Sequence, residues 1–217
     1  MALKHKGLDF NEVKLNFRQL NKTILELTDG KWKQVPALKF EDGSVYYNSR
    51  DIAIELEKRF PENPKLFPNG SKLAEFLEKY IEANIDIIGG LCIEAERDVL
   101  LKEDQDLQKD LFDIGIKMFS RPIEGLYVDF ERLLKPLILM LKDTPFFEGT
   151  EPTYSDYIVF SLLQSIRVLT PVHFEVCVQN IEDKTLINWF EKLSNLFDGY
   201  AKAFPINLKH GPYALKN

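Results

Sequence analysis

The strongest constraint on how this chain folds is a change of hydrophobic period at a proline-rich stretch. Pro61, Pro64 and Pro68 put three prolines into eight residues, a density that no helix or central strand accommodates. Before them the apolar residues fall in short alternating runs. After residue 70 they recur every three or four positions, the spacing of amphipathic helices. The pattern predicts an α+β segment over residues 1–66 and an all-helical segment over residues 71–207.

Within the first segment, Asn11–Asn16 alternates with Val13 and Leu15 on one side and reads as a strand. Pro36–Phe40 reads as a second strand. The Asp42-Gly43 turn returns it through Ser44–Tyr47, the signature of a hairpin. Ser49 then opens a helix whose Ile52, Leu56 and Phe60 share a face. In the second segment Leu73, Leu77, Ile81, Ile85 and Ile88 form one apolar stripe, and Leu107, Leu111, Ile114 and Met118 another; both read as core. A third helix is expected from Pro122 to Lys142, bent or shortened at Pro136. Further helices fit Asp156–Leu169 and Thr185–Phe204. Thr153-x-x-Asp156 has capping-box spacing, with an acid at the third position, ahead of a helix expected to be buried.

Composition narrows the function classes. The 217 residues carry a net charge of -6, which opposes a phosphate backbone, and no stretch clusters Lys or Arg with aromatics, so nucleic acid is excluded as a partner. The longest apolar run, Leu137–Leu141, is far below the roughly 20 residues that cross a bilayer. With no apolar leader and only two separated cysteines, Cys92 and Cys177, the expectation is a cytoplasmic protein with reduced thiols. His5, His173 and His210 lie far apart without carboxylates at ligand spacing, so no metal is expected. His173 and Cys177 lie four apart. They read as a Cys–His nucleophile pair or, by burial preference, as a core thiol and a solvent-tipped histidine. Tyr46 and Tyr47 point to opposite sides of their strand and carry no catalytic signal.

The string Gln34-Val35-Pro36-Ala37-Leu38, followed by Asp42-Gly43 and by Asn48-Ser49 at a helix start, resembles the glutathione-binding half of cytosolic glutathione transferases. The box at Thr153–Asp156, which in that family opens the central helix of the second domain, extends the resemblance over nearly the whole chain. Ala2–Leu8, Asn48–Leu56, Lys102–Asp106, Ser155–Phe160 and Leu196–Gly199 are similar to bacterial β-etherases and fungal etherase-related transferases in particular.

The resemblance implies a thioredoxin-like first domain with a cis Val35–Pro36 bond, which turns the Val35 main chain outward to pair with glutathione like an added strand. It implies a glutathione site of Gln34, Val35, Pro36, Asn48 and Ser49. Ser49 also reads more simply as a helix cap, whereas a hydroxyl at a helix N-terminus suits the γ-glutamyl carboxylate. The family usually has an acid or Gln before that serine. Asn48 keeps a hydrogen-bonding group there and loses the charge that would meet the ligand ammonium.

The implied activity is activation of the glutathione thiol, as co-substrate and without a metal, for attack on an electrophilic small molecule, with ether cleavage or detoxification as outcomes. The alternative is a non-catalytic binding or interaction protein on the same fold. The segment Met1–Gly7 matches the end of the family's first helix. The expectation is therefore that the first strand, and the turn bearing the catalytic Ser, Tyr or Cys, are missing from this chain; no catalytic residue is assigned. Homodimers are implied too, with Arg50, Glu57 and Arg59 either in the interface or on a solvated face. Ile81 and Ile88 fall where the family builds its electrophile pocket and equally on the core stripe.

Overall fold

The computed structural model describes residues 1–207, without the side chains of Phe17 and Leu107. The chain divides into two compact units, the first Met1–Pro68 and the second from Asn69 onward.

The first unit contains α1 (Ala2–His5), α2 (Phe17–Leu27), β1 (Ala37–Lys39), β2 (Val45–Tyr47) and α3 (Ser49–Arg59). Among the described residues its sheet has two strands, β1 and β2, paired antiparallel with Ala37 opposite Tyr47 and Lys39 opposite Val45. The hairpin follows from the sequence: Gly43 takes φ 86°, and Asp42 Oδ1 accepts the Ser44 N–H at 2.9 Å.

The expected strand at Asn11–Asn16 is absent. Residues 11–15 carry no regular structure and Val13 is 75% exposed, because alternation supplies a face but not a partner strand. Asn16 instead caps α2, which the periodicity reading missed. Its Oδ1 accepts the Gln19 N–H at 2.9 Å, and Gln19 Oε1 accepts the Asn16 N–H at 3.2 Å.

A buried lysine ties the ends of this unit together. Lys6 is fully buried, its ammonium 2.6 Å from Glu57 Oε1 and donating to the Phe60 carbonyl at 3.0 Å. Glu57 Oε1 also accepts the Leu66 N–H at 2.7 Å, and Asn63 donates to the Lys6 carbonyl at 2.8 Å. An ammonium held away from water needs this much compensation, so α1 and the proline-rich stretch are both anchored on α3.

The second unit runs through α4 (Lys72–Glu82), α5 (Ile85–Val99), α6 (Lys102–Leu107), α7 (Lys109–Phe119), α8 (Ile123–Met140), α9 (Tyr154–Leu169), α10 (Pro171–Phe174) with a π-helical turn (Glu175–Gln179), and α11 (Thr185–Gly199), ending in a 3-10 turn (Tyr200–Ala203). Helix α9 is its centre, with Val159, Phe160, Leu163 and Ile166 buried. Phe160 meets the Trp189 ring edge-on at 6.5 Å and tilts against Phe190 at 4.9 Å.

Three expectations need correction here. The stripe from Leu73 to Ile88 is cut at Ala83 and Asn84 between α4 and α5, which leaves Ile85 54% exposed. The stripe on α7 is not core: Leu111, Ile114 and Met118 are 63%, 63% and 66% exposed, and the Leu107 side chain lies outside the described residues. Glycines decide the matter, because a Cβ on Gly89 would stand 2.8 Å from the Phe119 ring and one on Gly115 2.9 Å from Ile93. Helix α7 therefore approaches α5 through Gly115 and Phe119. Finally, α8 does not end early at Pro136 but runs on to Met140: Leu133, Leu134, Leu137 and Ile138 are buried on both sides of the proline, which itself faces solvent.

Candidate functional site

The hairpin brings two sequence-separated segments to one end of the sheet. The ladder ends with Ala37 opposite Tyr47, so Gln34–Pro36 before β1 and Asn48–Ser49 after β2 leave the sheet at the same end. The Val35–Pro36 peptide is cis. Gln34, Val35 and Pro36 form an exposed edge on the loop between α2 and β1, Val35 being 57% exposed.

Across from them α3 begins. Asn48 is the cap, at φ 69°, with its side chain accepting the Arg50 N–H at 3.2 Å. Ser49 is the first residue of the helix rather than its cap, and it is exposed. The remaining N–H groups of the first turn, with the Ser49 hydroxyl, face outward at the positive end of the helix dipole, an arrangement suited to a carboxylate. Asp51 in the same turn weakens the field that such an anion would meet.

The hairpin is locked from the other end of α3. Arg59 donates to Asp42 at 2.7 Å, to Glu55 at 2.7 Å and to Ser44 Oγ at 2.8 Å, with its guanidinium 4.0 Å above the Phe40 ring. The Ser44 hydroxyl and N–H, with help from Arg59, hold the Asp42 carboxyl down at about 2. Arg59 and Glu57 thus spend their charges within the first unit.

One group in this region escaped the sequence reading. Trp32 stacks on Tyr47 with ring centroids 5.2 Å apart, and its indole N–H is buried without a hydrogen-bond partner among the described residues. A Trp three residues before the Val-Pro pair was the available signal, but only the fold turns it toward β2.

In the second unit the two residues of the expected pair have these surroundings. His173 Nδ1 lies 2.8 Å from the Tyr127 hydroxyl, and burial pushes the Cys177 thiol up to about 12. Cys92 is likewise raised to about 12 by burial, against a weak contact with Thr170. Cys177 is buried, as the core-thiol reading expects. Both cysteines are expected to resist a water-soluble disulfide reagent at pH 8 in the native protein and to react fully in denaturant; rapid native-state labelling of either would contradict that burial. His210 lies outside the described residues. Among those described, no group of three or more His, Cys, Asp or Glu is arranged to hold a metal, and no helix is long and apolar enough to cross a membrane. Ile81 and Ile88 line an open cleft of about 440 Å³ with Ile85, Ile158 and Leu162, bordered by Glu78 and Glu82.

Residues 1–59 match the family model described as the glutathione S-transferase N-terminal domain. Among solved structures, a glutathione S-transferase of Ceriporiopsis subvermispora in complex with glutathione superposes with a TM-score of 0.73 at 17% identity, covering 88% of this chain and 87% of that one. A second from the same organism, also in complex with glutathione, gives 0.75 at 15% identity over 89% and 88%. The Tau class glutathione S-transferase of mango gives 0.67 at 14% identity over 99% and 89%. Comparison with curated protein sequences found no match. The fold is therefore that of the glutathione S-transferases: a small sheet with helices, followed by a helical unit.

Proposed function

We propose that the protein is a cytoplasmic glutathione transferase of the etherase-related subgroup, with residues 1–66 as its glutathione-binding domain and residues 71–207 as its helical domain. The observation that carries this reading is the family-model match over residues 1–59, a segment whose hairpin leads Gln34–Pro36 and Asn48–Ser49 out of one end of the sheet. Glutathione is the co-substrate. Its γ-glutamyl carboxylate sits at the start of α3 on the Ser49 hydroxyl and first-turn N–H groups, while its cysteinyl portion pairs with the Val35 main chain. Gln34, Pro36 and Asn48 complete the walls. The second substrate is an electrophilic small molecule, as in detoxification or ether cleavage, and the working form is a homodimer.

Two measurements on the full chain test this. Calorimetric titration with glutathione should give saturable binding, and conjugation of an activated aryl halide should exceed the uncatalysed rate. Binding without conjugation would leave a glutathione-binding protein that is not an enzyme. Absence of binding would overturn both readings.

A further inference from the structure

Asparagine followed by glycine is the pair in a polypeptide most open to self-modification. The glycine nitrogen can close a five-membered ring on the asparagine side-chain carbonyl, and no Cβ stands in its way. The sequence holds one such pair, Asn69-Gly70, at the first residues of the second unit. Both residues are exposed. Gly70 takes φ 82°, and a Cβ built on it would meet nothing within 4 Å, so the loop leaves room around the reacting atoms.

The state of the glycine N–H separates this pair from its relatives in the chain. Asp29-Gly30 and Asp42-Gly43 place the same kind of carbon and nitrogen in loops, but there the nitrogen is engaged. Gly30 N–H donates to the Leu25 carbonyl at 2.7 Å and Gly43 N–H to the Phe40 carbonyl at 3.0 Å. The Asp42 carboxylate is further held by the Ser44 N–H and by Arg59. Among the described residues the Gly70 N–H donates to no acceptor and the Asn69 side-chain amide has no partner. Neither group gives up a hydrogen bond within the protein in order to react.

We propose that Asn69 is a site of spontaneous deamidation in the folded protein. The Gly70 nitrogen loses its proton to solvent base and attacks the Asn69 side-chain carbonyl carbon. The bond from that carbon to the side-chain nitrogen breaks, ammonia leaves, and a succinimide remains. Water then opens the ring. Attack at the side-chain carbonyl gives aspartate, and attack at the main-chain carbonyl gives isoaspartate, in which the chain runs through the side-chain carbon. Either product adds a negative charge two residues before Ser71, the cap of α4, near the positive end of that helix's dipole. Isoaspartate also lengthens the main chain by a methylene at the point where the second unit begins.

The test is to incubate the folded full chain at mildly alkaline pH and digest it with trypsin under mildly acidic conditions, which suppress further ring closure. Peptide 66–72 is then weighed and offered to an isoaspartyl carboxyl methyltransferase with S-adenosylmethionine. It should gain the mass of OH in place of NH2 and accept methyl groups. Its conversion should run within roughly tenfold of that of a synthetic peptide of the same sequence, because a loop without protecting hydrogen bonds opens at almost no cost. The rate should rise with pH, since the attacking nitrogen must shed its proton. Asn69→Gln should abolish the signal, because its ring would be six-membered and slow to close, while circular dichroism stays that of the parent. Peptide 66–72 unmodified in the folded chain while the synthetic peptide converts would overturn the proposal, and so would a signal that survives Asn69→Gln.

Discussion

Replacing Asp156 by Ala is expected to destabilise the helical unit by about 3–5 kcal/mol. The carboxylate is fully buried, and one oxygen accepts the Phe147 N–H at 3.0 Å and the Trp189 indole N–H at 2.8 Å. The other accepts the Thr153 N–H at 2.9 Å, with the Thr153 hydroxyl at 3.1 Å. Burial raises the pKa of this group and the four donors hold it back, so the donors and the carboxylate depend on one another. Removing the acceptor strands three N–H groups in the core, each costing roughly 1–3 kcal/mol, and their overlap keeps the total below the plain sum. That loss is a large part of an ordinary domain's stability, about 5–15 kcal/mol. Urea unfolding of Asp156→Ala measures it. A loss under about 1 kcal/mol would mean that the Phe147 loop and α11 do not rely on this residue.

Ser49→Ala carries the second largest effect and tests the site instead of the fold. If a ligand carboxylate accepts from the Ser49 hydroxyl, its loss weakens glutathione binding by about 1–3 kcal/mol. The helix itself should barely notice, because Asn48 is the cap and Ser49 is exposed. Asn48→Ala should cost roughly 1 kcal/mol of stability through the lost cap, so stability and affinity separate the two neighbours. Calorimetry that finds identical glutathione affinity for Ser49→Ala and the parent chain would remove Ser49 from the site.

Much of the fold was legible because its signals are local. The Asp42-Gly43 turn, the helix opening at Asn48-Ser49, the Thr153–Asp156 box and the break in period at Pro61–Pro68 each depend on residues a few positions apart. Short-range hydrogen bonds and steric limits on φ decide such features. Helix α2 was encoded in the same way, by Asn16 and Gln19, and was passed over because the alternation just before it looked like a strand.

What the tertiary structure alone decided concerns partners distant in sequence. A strand exists only if another strand pairs with it, and residues 11–15 stay outside the sheet. A stripe is core only if something covers it. On α7 the bulk of Phe119 fitted to Gly89, and of Ile93 fitted to Gly115, fixes which face turns inward and leaves Leu111, Ile114 and Met118 in solvent. Lys6 is held in the interior only because Glu57 of α3 and the Phe60 carbonyl at its end meet the ammonium. The proposed ligand site follows the same division: its residue types are local, while it is the pairing of β1 with β2 that puts Gln34–Pro36 and Asn48–Ser49 at one end of the sheet. Hydrogen-bonding preferences act along the chain, but close packing is a property of surfaces that meet only after folding.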